Sequence, residues 1–95
     1  MSGKAERQQA RETVANYHEA QLAELLMHVA NATDRFRSGD ADAFDVDHVV
    51  FQYSRAAKEL WKFCNTDNVE LIAEQIHEAP KIDWWERGAP RPRRR

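Results

Sequence analysis

Glycine and proline are scarce in this sequence: three of each in 95 residues, and four of those six lie at position 80 or later. The interior is therefore almost free of helix breakers, and mostly helix is expected. The single cysteine, Cys64, excludes an internal disulfide. No long apolar run is present, which excludes a transmembrane helix of the usual length. The opening MSGKAERQQARE is polar and has no apolar segment of the kind a secretory signal needs. A cytoplasmic protein is the simplest expectation. No glycine-rich phosphate loop occurs, and no strand-turn-helix setting exists for a serine nucleophile.

What the chain does hold is an uneven charge. Residues 1–86 carry 16 Asp and Glu against 9 Lys and Arg, a net of −7, while RGAPRPRRR at 87–95 carries five arginines and no acid. The formal net charge of −2 conceals this split. Apolar residues at 42% and charged residues at 32% fit one small globular domain rather than a disordered chain. An acidic folded body with a basic arm points to a protein that contacts something rather than one that transforms something.

Apolar side chains at Val14, Tyr17, Leu22, Leu25, Leu26, Val29, Ala32 and Phe36 recur at steps near three and four. They predict a helix over about 5–37, roughly 45–50 Å long, whose first ten residues lack large apolar groups and are expected to fray. Gly39 suits the left-handed conformation that closes a helix, and the aspartates at 40, 42, 45 and 47 suit the start of the next one. Phe44 is expected as a buried plug of this connection. A second helix is predicted over 45–64, with Val46, Val50, Tyr53, Ala57, Leu60 and Cys64 as its seam. Val49, Trp61 and Phe63 widen its apolar surface, so it should touch more than one neighbour. Asp67 and Glu70 resemble a capping box for a third helix over 68–78, with Val69, Ile72, Ala73 and Ile76 inward and Pro80 as its stop. Trp84 and Trp85 form an aromatic anchor, and Pro90 and Pro92 favour an extended, flexible tail over 86–95.

The fold expected is all-α: a long antiparallel helical hairpin over a domain spanning 11–85, plus a short third helix. A bare hairpin leaves half of its apolar surface wet. Either the third helix folds back to complete a monomeric bundle, or two hairpins dimerise into a four-helix bundle. The breadth of the second helix tilts the expectation to the dimer, although Trp84 and Trp85 can also return to cover the hairpin.

Candidate chemistry is thin. Glu74-x-x-His77 and Asp45-x-x-His48 have a spacing that places two metal ligands on one helix face, as in bundle di-iron proteins. A last-turn His77 at the negative helix end and a capping Asp45 explain the same residues without a metal. Glu24 and His28 read as a surface pair. The aspartate cluster lacks the central glycine and the terminal glutamate of an EF-hand loop. Arg11 and His18 share a spacing with some helical ribonuclease domains, a spacing common by chance on polar helix faces. Cys64 reads as an ordinary core thiol. The tail arginines Arg87, Arg91, Arg93, Arg94 and Arg95 can neutralise phosphates, with Trp84 and Trp85 able to stack on bases.

The stretches Gly39-Asp40-x-Asp42-Ala43-Phe44-x-Val46-Asp47 and Tyr53-x-Arg55-Ala56-Ala57-Lys58-Glu59-Leu60-Trp61-Lys62-Phe63-Cys64 resemble a group of small uncharacterised helical proteins of high-GC bacteria. The resemblance covers roughly residues 17–65, implies a bacterial setting, and brings no activity or ligand with it. The function expected is a non-catalytic interaction or regulatory module, a homodimer or the binder of a protein partner. Its contact residues are expected among Trp61, Phe63, Trp84, Trp85, Arg87, Arg91, Arg93, Arg94 and Arg95, with no cofactor and no membrane association. A nucleic-acid-associated protein using the basic tail is the alternative, and a metal-binding helical bundle is the second alternative.

Overall fold

The computed structural model describes residues 3–66, 68–78 and 81–91. Within them the chain is helical and has no strand: α1 Lys4–Ser38, α2 Ala43–Asn65, α3 Val69–Glu78 and a single turn, α4 Trp84–Arg87. None of these helices is long and apolar enough to cross a membrane.

Local chemistry sets the helix ends. Gly3 opens α1 and donates its backbone N–H to Glu6 Oε1 at 3.1 Å. Gly39 closes α1 at φ 87°, donating to the Phe36 carbonyl at 3.2 Å while Asp40 N–H reaches back to the Arg35 carbonyl at 2.8 Å. This pair of bonds is a Schellman closure, which a left-handed glycine makes without Cβ strain. Asp42 and Asp45 then exchange hydrogen bonds, each carboxylate accepting the other's backbone N–H at 2.9 and 3.0 Å, and so start α2. Asn68 caps α3, its Oδ1 accepting Leu71 N–H at 2.9 Å. The cap expected at Asp67 and the stop expected at Pro80 lie outside the described residues.

α1 packs on α2 to form the hairpin, α3 lies chiefly along α1, and α4 lies on α2. The core joins all four through Val14, Leu25, Ala56, Leu60, Cys64, Ile72, Ala73 and Trp84. The hairpin is thus covered on one side by α3 and α4. The ion pair of Arg7 with Glu70, at 4.0 Å and exposed, adds little to this packing.

Four expectations are corrected. Residues 4–10 are helical and Ala10 is buried, because α3 gives the start of α1 a surface to pack on. Phe44 is 76% exposed rather than plugging the turn. The Asp42–Asp45 box starts α2 at Ala43, and at about 100° per residue Phe44 then falls roughly 120° from Ala56 and 160° from Leu60. The buried seam of α2 runs through Ala56, Leu60 and Cys64, leaving Val50 exposed, because α4 draws the core toward its own side. Finally, residues 86–89 are not a flexible tail. Glu86 and Arg87 belong to α4, and Gly88 is buried against α2 so closely that a Cβ there would stand 2.5 Å from Ala56 N and 2.6 Å from the Gln52 carbonyl oxygen.

Candidate protein-interaction surface

The outer face of α2 carries Phe44, Asp47, Phe51, Ser54, Lys58, Trp61 and Asn65, all exposed. Their steps alternate three and four, so they form one stripe that winds slowly around the helix, drifting about 20° per heptad. Phe44, Phe51 and Trp61 are 76%, 55% and 59% exposed, which is unusual for side chains of this size in a chain whose core is already closed. Val50 of α2 and Leu26, Met27 and Phe36 of α1 are further exposed apolar groups. The row is also polar along its length. Asp47 lies toward the acidic start of α2, where Asp42 and Asp45 sit, and Lys58 lies toward its basic half with Arg55 and Lys62. Lys62 is engaged by Glu59 at 3.5 Å.

The expected contact residues scatter. Trp61 is in the outward row. Phe63, two positions on and so about 200° around the helix, turns inward to Tyr17 and Trp84 at ring-centroid distances of 6.0 and 5.3 Å. The two therefore do not make one surface. Trp84 is 3% exposed, and its indole N–H donates to the Tyr17 hydroxyl at 2.8 Å, so it is a core residue and not a platform for a partner. Trp85 is half-buried and stacks flat on His28, with centroids 3.9 Å apart and planes 2° apart. Gln52 Nε2 donates to the Trp85 carbonyl at 2.9 Å and Arg55 Nε to the Gly88 carbonyl at 2.7 Å, clamping this segment onto α2. Arg87 lies over the Trp84 ring, 5.4 Å from its centroid. Arg91 is exposed, and Arg93, Arg94 and Arg95 lie outside the described residues.

The remaining candidates separate as well. Asp45 is occupied in the α2 cap; His48 is exposed on α2, and Glu74 and His77 are exposed together on α3. Among the described residues no three His, Cys, Asp or Glu side chains converge as metal ligands. Arg11 and His18 line one shallow groove of about 390 Å³ with Cys64 and Asn65. Burial pushes the Cys64 thiol up to about 11, which keeps it protonated and unreactive at neutral pH. A second groove of about 320 Å³ lies between α1 and the 81–85 segment, lined by Glu24, His28, Lys81, Asp83 and Trp85 among others.

Sequence reasoning missed Phe44 and Phe51. The signal was present: a second three-four row, offset from the apolar seam and bearing three aromatics, shows in the residue numbers alone. No protein-family model, curated protein or solved structure matches this chain.

Proposed function

We propose that this protein is a non-catalytic protein-interaction module whose contact surface is the outward row of α2. The observation that carries this reading is the exposure of Phe44, Phe51 and Trp61 on one heptad-spaced stripe of a helix whose other side is packed. Burying aromatic area of this kind is what drives protein association, and leaving it wet has no structural benefit to the isolated chain. Self-association belongs to the same reading, since two hairpins meeting through α2 make a four-helix bundle.

The test compares the full chain, a chain lacking 91–95 (which keeps α4 and the seated Gly88), and the variant Phe51→Ser/Trp61→Ser in sedimentation and in tagged pull-downs with and without nuclease. The reading expects the double variant to lose protein association, whether with itself or with another protein, while circular dichroism shows its helices intact. Association that survives the double variant, or that disappears with nuclease and with removal of 91–95, rejects it in favour of the basic arm.

A further inference from the structure

We infer that the occupant of the α2 row is a second copy of this chain, docked antiparallel with its own α2 about a two-fold axis at the level of Gln52 and Tyr53. This rests on the contact-surface reading above and gives it a partner and a register.

The row has heptad spacing, with Phe44, Phe51, Lys58 and Asn65 at one position type and Asp47, Ser54 and Trp61 at the other. In an antiparallel pair, residues of the first type face residues of the second type on the partner helix, and a two-fold axis makes every such contact occur twice. The register centred between residues 52 and 53 sets Phe44 opposite the partner's Trp61, Asp47 opposite the partner's Lys58, and Phe51 opposite the partner's Ser54. Each of these three matches is favourable on its own terms. Two aromatics meet at either end, an acid meets a base inside them, and at the centre a large ring meets the smallest side chain of the row. All six residues are exposed in the single chain, so none has to leave the core to take part.

The same residues argue against the alternatives. A parallel pairing would set Asp47 on Asp47, Lys58 on Lys58 and Ser54 on Ser54, which costs two like-charge contacts and a central gap. A foreign partner has no reason to require that the row match itself when read backwards. A homodimer requires that symmetry, and the row has it in charge, in aromatic character and in size.

The experiment is sedimentation of purified full-length protein across a concentration series, with charge reversals at the two matched positions. Wild type should run at about twice 11.1 kDa and show a melting temperature that rises with concentration. Asp47→Lys places only lysines in the matched pair and Lys58→Asp only aspartates. Each variant alone should dissociate, with affinity lower by roughly a hundred-fold. An equimolar mixture of the two should recover a heterodimer, and the chain carrying both changes should recover the homodimer. Circular dichroism of each variant checks that the helices persist. A wild-type monomer at every concentration overturns the inference, and so does a dimer indifferent to the reversals, or one that the mixture fails to restore. The contact-surface reading stands or falls separately. If wild type is monomeric yet Phe51→Ser/Trp61→Ser loses another protein, the row is a contact surface for that protein and the self-docking inference is wrong.

Discussion

The indole of Trp84 and the phenol of Tyr17 share a hydrogen bond of 2.8 Å although 67 positions separate them in the chain. This contact ties the C-terminal segment to the first half of α1. Phe63 of α2 stands beside both rings, so three elements meet at one aromatic cluster. The cluster closes one side of the hairpin and leaves the α2 row on the outside.

Because the indole is buried, removing its acceptor should cost more than the bond alone. Tyr17→Phe should destabilise the fold by about 1–3 kcal/mol by orphaning the Trp84 N–H, and Trp84→Phe by a comparable amount from lost volume and bond. The double variant should cost less than the sum, since the residues share one interaction. Urea denaturation of the four proteins measures this, and strict additivity would contradict the bond.

Gly88 and Gly39 should respond oppositely in mechanism and unequally in size. At Gly88 the backbone conformation is ordinary, φ −90°, but a Cβ would collide with Ala56 N and the Gln52 carbonyl. Gly88→Ala should lift α4 off α2, break the clamps from Gln52 and Arg55, and cost about 2–3 kcal/mol. At Gly39 nothing lies within 4 Å, and only φ 87° penalises a side chain. Gly39→Ala should cost about 1–2 kcal/mol and leave the near-ultraviolet signal of the tryptophans intact. Thermal melts with near-ultraviolet circular dichroism separate the two cases.

Asp42 is the one side chain that accepts the Asp45 N–H at the start of α2. Asp42→Ala should lower stability by about 1 kcal/mol, and Asp42→Asn by less, as read from the denaturation midpoint. Equal losses in the two variants would show that charge, not the cap bond, is what matters there.

Cys64 gives the protein an alkaline limit. Its thiol is raised from 9.0 to about 11 by burial. A group raised in the folded state supports folding fully below its unfolded value and loses that support as pH climbs through the folded one. Stability should therefore fall between about pH 9 and pH 11, by about 2 kcal/mol from this group. Cys64→Ala should begin less stable yet show a smaller fall over that window. Parallel pH dependences of wild type and variant would remove the thiol as the cause.

Much of the architecture was readable because it depends on neighbours along the chain. Gly39, the aspartates after it, and the spacing of Val14, Leu25 and Ala32 placed the helices and their turn within a residue or two. The candidate surface was only half readable. Trp61 was expected as a contact residue and is exposed, whereas Trp84 was expected beside it and is buried.

The amino-acid order by itself determined where helices start, where they stop and which residues line up along each one, because capping, left-handed glycine and a 3.6-residue period are properties of adjacent residues. How far the inward face of α2 reaches toward Gln52 and Ala56 was decided only where α4 seats Gly88 against Ala56. That contact joins distant segments through a fit of shapes, and no local preference encodes it. With it, Ala56 and Trp84 are buried and Val50 is left exposed.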